Sequence, residues 1–553
     1  MKIDASKSEK PPFDAEQTGQ RVTKYIFMTG GVCSGLGKGI AAASLGRLLK
    51  ARGYKVTIQK FDPYINQDPG LLSPYQHGEI FVTEDGAEVD LDFGHYERFI
   101  DENLSAANSV STGKIYREVL NGELNGKYKG ATIQVIPHIT DAIKEKIYRA
   151  SKNAGSDIII SEIGGTVGDI ESLPFIEAIR QTSRDVGTEN VMYIHVTLIP
   201  YLNFADEMKT KPSQNSVKEL LSFGIKPDAL VCRTEHSISD EMREKLALFC
   251  NLDKTCIIEN LNVASIYEVP LLLEQQNFGD IVCKRLGLAP PPPDLTEWRA
   301  LVAKNNAITA EITVGLLGKY TEFRDSYLSV TKALEHAGIA HDVRIKIKWL
   351  HAKEITDANA ATKLKNLKGL IVPGGFGKRD TKGLISATRY ARENKLPFLG
   401  IGLGMQCALI EFVRNVMARP EANTAEIDAE TDMPVIEYIT KPEAEVSSLP
   451  KRKGSYPCKL NPDSLTYAAY GENLIYERFC HLYKINNQYR GEFSAAGLIE
   501  AALSPDEQHI EAIELPQKTH PWFVGVQFHP EFKSRITRPN PIIKAFVGAC
   551  LKK

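Results

Sequence analysis

The sequence contains no run of about 18 apolar residues, the length that a helix needs to cross a bilayer, so it predicts no membrane span. The first twenty residues also lack the apolar core of a secretory signal peptide. They are polar and contain prolines, and we therefore expect residues 1–22 to form a disordered leader. The formal net charge is only −2, which gives no argument for nucleic acid or an acidic membrane surface as a partner.

The nine cysteines include no Cys-x-x-Cys pair, so the sequence indicates neither a zinc site nor a disulfide scaffold. Scattered thiols are typical of a reducing compartment, and we expect a cytoplasmic protein. The composition, with 43% hydrophobic and 25% charged residues, is that of an ordinary globular protein. At 553 residues the chain is too long for a single core, so two or more domains are expected.

A glycine-rich stretch, TGGVCSGLGKG at 29–39, follows a short apolar segment at 24–28 and precedes a helical pattern. A strand, a glycine-rich turn and a helix N-terminus form a phosphate cradle, because backbone N–H groups and the helix dipole face the anion. Lys38 would add a positive charge. The strict P-loop pattern has a glycine where Val32 stands and a hydroxyl residue where Gly39 stands. A bound Mg²⁺ would therefore need carboxylate ligands from elsewhere in the chain.

Short β-branched segments alternate with helical patterns on both sides of a run of four prolines at 290–293. Such alternation is typical of parallel sheets covered by helices, and ligands of these sheets bind at the carboxyl ends of the strands. Consecutive prolines form a stiff, extended spacer. We therefore expect one domain at 23–288, a Pro-rich linker at 289–309 and a second domain at 310–553.

Polar residues follow several predicted strands of the first region. Glu162 and Asp169 come after a buried strand, where a phosphate-bound metal would lie, and an acidic run at 84–92 offers further carboxylates. Charged runs are usually solvated faces, so the residues alone do not select the ligands. The loop at 209–214 carries two lysines and is suited to a second polyphosphate.

The second region contains a strand, a sharp glycine turn and a helix around 400–406, which is the shape of a nucleophile elbow. Another strand ends at His529, and Glu531 follows two residues later. Such a pair can orient an imidazole as a general base. However, the elbow position that should hold the nucleophile is Gly402.

Together these motifs resemble the CTP synthase family, from residue 24 to about residue 549. The most specific matches are KFDPYIN (60–66), SPYQHGE (73–79), GHYERFI (94–100), QVIPHIT (134–140), EIGGTVGDIESLPF (162–175) and KTKPSQ (209–214). The resemblance implies an α/β fold with two doubly wound domains. The first is a P-loop, dethiobiotin-synthetase-like amidoligase domain, and the second is a flavodoxin-like class I glutamine amidotransferase domain.

The resemblance also implies a reaction. ATP phosphorylates O4 of UTP, and ammonia then replaces the phosphate at C4 to give CTP. In the family, ammonia normally comes from glutamine in the second domain. Mg²⁺ is the implied metal, GTP a candidate effector, CTP a feedback inhibitor, and a homotetramer built as a dimer of dimers the implied assembly.

Residue roles follow by matching positions. Lys38 and Lys60 resemble the lysines that handle the ATP phosphates and the transferred phosphoryl group. Asp92 and Glu162 match the Mg²⁺ ligands. The implied ATP-binding residues are Gly35, Leu36, Gly37, Lys38, Gly39 and Ile40. The implied UTP- and CTP-binding residues are Ser34, Asp169, Ile170, Glu171, Lys209, Thr210, Lys211, Pro212, Ser213, Gln214 and Lys245.

The amidotransferase half departs from the family pattern at the residues that would react with glutamine and bind it. The family's GICLGMQ is GIGLGMQ at 400–406, so Gly402 replaces the cysteine nucleophile. The family's ERHRHRYE is ERFCHLYK at 477–484, where Leu482 replaces the arginine that pairs with the glutamine carboxylate. Losing that contact should cost glutamine binding on the order of 1.5–3 kcal/mol. We interpret Cys407 as a core cysteine. The remnants of the glutamine site are Gly375, Gln406 and Glu426, together with His529 and Glu531, which we interpret as vestigial.

Three hypotheses remain open. The first is a CTP-synthase-type ligase that uses free ammonia because its glutaminase is inactive. The second is a specialised paralogue that uses another amine or a modified pyrimidine nucleotide, which changes such as Gln67 and Asp206 favour. The third is a non-catalytic regulatory partner of an active family member, against which the retained Lys38 and Lys60 argue. The concerted changes favour natural loss of glutaminase activity over a single laboratory substitution.

Overall fold

The computed structural model describes residues 22–67, 69–439 and 452–553, with Leu71 described by its backbone only. The predicted leader therefore lies outside the described residues except for Val22. The chain forms two compact units. Of the described residues, the first contains 22–67 and 95–299, and the second contains 69–94, 300–439 and 452–553.

The elements up to residue 310 alternate as the sequence predicts. The strands are β1 (Lys24–Gly30), β2 (Val56–Asp62), β3 (Phe81–Val82), β4 (Glu88–Val89), β5 (Ser109–Ser111), β6 (Ile158–Ile163), β7 (Val191–Leu198), β8 (Tyr201–Leu202), β9 (Glu207–Met208), β10 (Ala229–Thr234) and β11 (Ile257–Leu261). The helices are α1 (Lys38–Lys50), α2 (Pro74–His77), α3 (Asp92–Ile100), α4 (Thr112–Leu124), α5 (Thr140–Ala154), α6 (Leu173–Val186), α7 (Lys211–Ser222), α8 (Asp240–Cys250), α9 (Val269–Gln275), α10 (Phe278–Arg285) and α11 (Thr296–Ala307).

The sheet of the first unit has seven parallel strands in the order β11-β10-β7-β1-β6-β2-β5. The central strands are buried on both faces, which explains their unbroken apolar sequences. The register places Glu162 of β6 beside both Met28 of β1 and Lys60 of β2. The carboxyl ends of these three strands therefore lie side by side.

The remaining elements belong to the second unit. The strands are β12 (Glu311–Gly318), β13 (Arg344–His351), β14 (Gly369–Val372), β15 (Phe398–Ile401), β16 (Ala422–Thr424), β17 (Met433–Tyr438), β18 (Arg452–Leu460), β19 (Leu474–His481), β20 (Tyr483–Ile485), β21 (Ile499–Leu503), β22 (Ile510–Glu514) and β23 (Phe523–Val526). The helices are α12 (Leu328–Ala340), α13 (Ala360–Leu364), α14 (Thr381–Glu393), α15 (Leu403–Asn415), α16 (Leu465–Tyr470), α17 (Arg490–Ala495) and α18 (Pro541–Lys552).

The large sheet of the second unit has nine strands in the order β13-β12-β14-β15-β23-β22-β21-β18-β19. Its first five strands are parallel and the rest pair antiparallel. β15 pairs with β23 so that Ile401 lies opposite Val526. The elbow that follows β15 and the segment that follows β23 are thereby held next to each other. The observed α/β architecture agrees with the predicted fold class.

The segment predicted as a Pro-rich linker, 289–309, is not extended throughout, because it contains α11. Trp298 of α11 is buried, and its Nε1 donates to Tyr267 O at 2.8 Å. Its ring packs against Phe99, and Arg47 lies over it. Aromatic burial thus makes the first turn of this helix part of the first unit's core.

The compact units also differ from the predicted domains in one segment. Residues 69–94, which lie within the predicted first domain, pack with the second unit. The buried guanidinium of Arg478 donates to Glu84 Oε1 at 3.0 Å and to Val82 O at 2.9 Å, and it lies over Phe81. A single arginine of β19 therefore binds the β3–β4 hairpin.

Within the described residues, no helix combines the length and apolarity needed to cross a lipid bilayer.

Candidate active sites

The glycine-rich loop of the first unit joins β1 to α1. Gly35 and Gly37 have φ values of +73° and +79°, which side chains rarely tolerate. Val32 also has a positive φ, +82°, at the position where the strict motif has glycine. A β-branched residue in this region is strained, by about 1–3 kcal/mol. The loop thus keeps the backbone shape of a phosphate cradle at an energetic cost.

Lys38 is the first residue of α1, and its Nζ donates to the carbonyl of Gly165. The first N–H groups of a helix have no partner within the helix and face outward at this end. Gly39 and Ile40 follow in the first turn, and Leu36 is buried at its base. The predicted ATP-binding residues therefore surround one helix N-terminus with a lysine at its edge.

A buried histidine forms hydrogen bonds next to this loop. The ring of His195, on β7, lies 2.8 Å from Thr29 Oγ1 through Nδ1 and 2.8 Å from Ser216 Oγ through Nε2. Complete burial, with a smaller contribution from Lys38, lowers the pKa of His195 to about 3, so the ring is neutral. A Cβ on Gly31 would lie 1.5 Å from Ser216 Oγ. This histidine was not predicted, although its place near the carboxyl end of a predicted strand was a usable signal.

Lys60 and Glu162 lie at the adjoining strand ends. Both are buried, and Lys60 Nζ is 3.7 Å from Asp62 Oδ1. Tyr96 donates its hydroxyl to Glu162 Oε2. A phosphate held at the loop would meet a lysine on one strand and a carboxylate on the next.

The predicted metal site involves Asp92 and Glu162. Asp92 begins α3 in the segment that packs with the second unit, so its pairing with Glu162 stays a prediction. Among the described residues there is no group of three or more His, Cys, Asp and Glu side chains arranged to hold a metal. Mg²⁺ is commonly bound by one or two carboxylates with phosphate and water oxygens. The buried carboxylate of Glu162 beside the phosphate loop fits that mode.

The predicted pyrimidine segment, Asp169–Glu171, lies on a loop that folds over the end of β1. Val167 N donates to Gly30 O at 2.8 Å, and Thr166 N donates to Asp169 Oδ2 at 2.8 Å. Asp169, Ile170 and Glu171 are exposed, as is Ser34 in the glycine-rich loop. The structure therefore brings this segment to the phosphate loop.

The predicted triphosphate residues occupy the start of α7. Gln214 Nε2 donates to Thr210 Oγ1 at 3.0 Å, and Ser213 Oγ donates to Leu198 O at 2.9 Å. Lys211 and Pro212 begin the helix, and Lys209 forms an ion pair with Glu207. Lys245 is exposed on a different helix, α8. The 209–214 residues thus form one cluster, and Lys245 belongs to another element.

In the second unit, the turn after β15 has the geometry of a nucleophile elbow. Gly402 has φ +52° and ψ −108°, and its N–H donates to Val526 O at 2.7 Å. A Cβ built on Gly402 would lie 3.6 Å from His529 Nε2. The backbone would therefore direct a side chain at this position toward the imidazole.

His529 and Glu531 form the expected pair. Nδ1 of His529 lies 2.8 Å from Glu531 Oε1, and its ring stacks on Phe532. A carboxylate accepts only, so Nδ1 carries the hydrogen, and in the neutral form of the imidazole this leaves the Nε2 lone pair as an acceptor. Glu531 is buried, and its Oε2 has no hydrogen-bond partner among the described residues.

A cavity of about 120 Å³ within the second unit contains this pair. Its wall includes the predicted remnants Gly375, Gln406 and Glu426, and also Pro74 and Ile80 from the 69–94 segment. Glu426 accepts from Gly377 N, and burial raises its pKa. The structure thus brings all five predicted remnants of the glutamine site to one cavity.

One residue that lines the cavity, Gln527, and one that lies beside it, Lys319, were not predicted. Lys319, at the end of β12, donates to Phe376 O at 3.1 Å, and burial lowers its pKa. Gln527 is buried, and neither amide atom has a partner in the part of the chain that the structure describes. Both residues end or follow a parallel strand, which is the signal that could have identified them.

The cysteines near the elbow differ in position. Cys407 is fully buried in α15, and burial raises its pKa to about 12, so it is a protonated core thiol. Cys480 lines the cavity, with Sγ 3.5 Å from Glu88 Oε1. Leu482 also lines the cavity, at the position predicted for an arginine, and packs on the apolar core.

Comparisons with known proteins give consistent matches. Residues 24–288 match the family model described as CTP synthase N-terminus, and residues 322–549 match Glutamine amidotransferase class-I. A CTP synthase of Ruminiclostridium cellulolyticum is 56% identical over 528 residues, which is 95% of this chain and 98% of that protein. A CTP synthase of Bacillus pumilus is 55% identical over 533 residues, or 96% of this chain and 99% of that protein.

One solved structure, described as the Trypanosoma brucei CTPS glutaminase domain with bound acivicin, is also similar in part. It covers 44% of this chain and 94% of that chain, with 31% identity and a TM-score of 0.41.

Proposed function

The chain belongs to the CTP synthase family of ATP-dependent ligases, and we propose that it aminates UTP with free ammonia because its glutaminase site has no nucleophile. The observation that carries this proposal is Gly402, which stands at the elbow with its absent side chain directed at His529. Thioester chemistry needs a nucleophilic side chain there. The fully buried Cys407 is five residues away in the helix and is no substitute.

The first unit would transfer the phosphoryl group. In the proposed mechanism, the glycine-rich loop binds the ATP phosphates and Lys38 stabilises the charge that develops on the transferred group. Lys60 would bind the same group from β2, which is separated from β1 by β6. Phosphorylation converts O4 of UTP into a leaving group, and ammonia then attacks C4 and expels phosphate.

Mg²⁺ would neutralise the negative charge of the ATP phosphates when bound. Glu162 would hold it, together with Asp92 by analogy with the family. Tyr96, which donates to Glu162, would fix the orientation of that carboxylate. The remaining assignments carried over from the family are UTP and ATP as substrates, CTP as product, and a homotetramer. GTP would have no glutamine chemistry to activate.

Loss of glutamine recognition supports the same conclusion. Leu482 occupies the position of the arginine that would pair with the α-carboxylate, and it packs against apolar residues. No lysine or arginine is among the described residues that line the cavity. An amino-acid carboxylate would therefore be desolvated there without a cationic partner.

The test is CTP formation by the full chain with UTP, ATP and Mg²⁺, with ammonium chloride in one reaction and glutamine in another. We expect CTP with ammonium and none with glutamine. CTP formation driven by glutamine would refute the proposal. If neither nitrogen source gives CTP, other amines and pyrimidine nucleotides distinguish a specialised paralogue from an inactive partner.

A further inference from the structure

The unpartnered polar atoms of the second unit's cavity are mainly hydrogen-bond acceptors. Gln406 Oε1, Gln527 Oε1 and Glu531 Oε2 are buried and have no partner among the described residues. All three residues line the cavity. Leaving such atoms unpaired costs about 1–3 kcal/mol each, so a ligand that donates hydrogen bonds would recover this energy.

Two histidines add acceptors to the same wall. His481 Nδ1 lies 2.6 Å from the carbonyl oxygen of Tyr483, so Nδ1 carries the hydrogen and Nε2 has a free lone pair. His481 Nε2 is buried without a partner in the described chain. Burial lowers the pKa of His481 to about 3, so the ring stays neutral. Nε2 of His529 is an acceptor for the same reason, because its Nδ1 faces Glu531.

Glutamates are the charged residues that line the cavity. Four glutamates line the cavity, namely Glu79, Glu88, Glu426 and Glu531, whereas no described lining residue is lysine or arginine. Lysines outside the wall compensate for part of this charge. Lys453 Nζ is 2.8 Å from Glu88 Oε2. The positive charge of Lys319 offsets part of the rise that burial causes in the pKa of Glu426. Within the described residues, the hydrogen-bond partner of the Glu531 carboxylate is His529, and no lysine or arginine pairs with it. The cavity is therefore suited to a small cation that donates hydrogen bonds, and unsuited to an anion.

We propose that this cavity binds ammonium and small primary ammonium cations, and that it supplies the nitrogen of the reaction. The inference rests on the proposed function and names the form in which its substrate enters. Ammonium has four N–H donors and no acceptor, which complements a wall of carboxylate, amide and imidazole acceptors. Gly402 contributes by leaving the space in front of His529 open, because a side chain there would point at Nε2.

The same geometry provides a base that can deprotonate the bound ammonium ion. Amination requires neutral ammonia, because the lone pair on nitrogen attacks C4. One N–H bond of ammonium breaks, its proton moves to the lone pair of His529 Nε2, and the products are ammonia and an imidazolium ion. Glu531, on Nδ1, stabilises that imidazolium before it returns the proton to water.

A binding experiment that needs no activity tests the inference. The melting temperature of the full chain is measured in increasing ammonium chloride, with tetramethylammonium chloride at equal ionic strength as the reference cation that has no N–H. We expect a saturable rise with ammonium only, since a ligand that binds only the folded state stabilises it. An equal response to both salts would overturn the inference.

Variants then locate the site. Gln406→Leu removes one acceptor at similar volume, and Gln527→Leu is a second variant if the first does not fold. Gln508→Leu, on an exposed turn, is the matched control. We expect either cavity variant to lose the ammonium-specific rise and to increase the KM for ammonium at least about fivefold, with kcat little changed.

The two proposals fail separately. If the wild-type chain makes CTP from ammonium but shows no specific stabilisation and no change of KM in the variants, the cavity is not the ammonium site and the proposed function stands. If ammonium stabilises the wild-type chain through Gln406 but no CTP forms, the site stands and the proposed function fails.

Discussion

At the scale of single residues, Gly402 combines a nucleophile-elbow backbone with no nucleophile. Its φ of +52° is a conformation that residues with side chains adopt at a cost of about 1–3 kcal/mol. Glycine removes this strain and also removes the reactive group. The neighbouring His529–Glu531 pair keeps its hydrogen bond. Gly402 therefore lies beside an intact His–Glu pair, and it has no side chain of its own to react.

Replacing this glycine tests the geometry of the elbow. Gly402→Cys would place Cβ about 3.6 Å from His529 Nε2, so we expect a thiol that iodoacetamide alkylates rapidly at neutral pH. Mass spectrometry would locate the label. Cys407 should stay unlabelled in the folded protein, because burial raises its pKa to about 12.

Gly402→Ala is the control for backbone strain in that experiment, because it adds the Cβ without the thiol. It should melt at about the same temperature as Gly402→Cys. A Gly402→Cys protein that is folded but alkylated no faster than the exposed Cys33 would show that the elbow does not direct its side chain at the imidazole.

Lys38 provides the corresponding test in the first unit. Lys38→Met keeps much of the side-chain volume but removes the charge beside the phosphate loop, and we expect ammonium-dependent kcat/KM to fall by roughly 100-fold or more. Lys50→Met, at the other end of α1, is the control and should stay within about twofold. Equal activity of the Lys38→Met and wild-type proteins would remove the proposed role in phosphoryl transfer.

At the scale of elements, the attachment of the β3–β4 hairpin depends on Arg478. Burial alone would raise the pKa of Glu84, but Arg478 and Lys533 outweigh it and the pKa is lowered. We expect Arg478→Leu to destabilise the second unit by on the order of 3 kcal/mol, because it leaves partners of a buried charge unpaired. Urea unfolding would measure the loss, and limited proteolysis should cut between residues 69 and 94.

Arg389→Met removes an exposed ion pair on α14 and serves as the control for Arg478→Leu. Its effect should be within about 0.5 kcal/mol. If both variants unfold at the same urea concentration as the wild-type protein, Arg478 does not hold the hairpin.

Glu477, the neighbour of Arg478 on β19, is expected to make the stability of the fold depend on pH. Its Oε1 accepts from Tyr470 at 2.8 Å and from Asn540 at 3.0 Å, and burial raises its pKa to about 7. A carboxyl whose pKa is higher in the folded state stabilises the fold below its unfolded pKa, and this contribution is lost as pH rises through about 7.

Glu477→Gln keeps the acceptor and cannot ionise. We expect its stability relative to the wild-type protein to improve between pH 5 and pH 8, by about 3 kcal/mol at most. Melting temperatures of both proteins at the two pH values would measure the difference. A constant difference would mean that Glu477 is already ionised in the folded state at pH 5.

The alternation of strands and helices was predictable from the sequence because parallel strands buried on both faces have distinctive apolar runs, as in β1 and β6. The glycine-rich loop and the pair His529–Glu531 were predictable from strand-end chemistry. The packing of 69–94 with the second unit was not, since it depends on Arg478, whose partner Glu84 is 394 residues away in the sequence. The helix α11 inside the expected linker was not predicted, because the four prolines indicated an extended spacer and nothing in the sequence showed that Trp298 is buried in the first unit.

At the scale of the whole molecule, the proposals made above describe one ligase of two units, in which the second unit binds ammonium and does not hydrolyse glutamine. The family assignment rests on identity above half over almost the whole chain. The proposal that ammonium is the nitrogen source rests on the turn at Gly402 and on the cavity around it. The central claim therefore concerns which nitrogen reaches C4.

The most direct measurement offers both nitrogen sources at once. The full chain is incubated with UTP, ATP, Mg²⁺, unlabelled ammonium chloride and glutamine labelled with ¹⁵N at its amide, and the CTP is analysed by mass spectrometry. The account predicts CTP with no ¹⁵N enrichment. Enrichment of the C4 amino group would contradict it, and Cys480, which lines the cavity, would then be the first side chain to examine as the nucleophile.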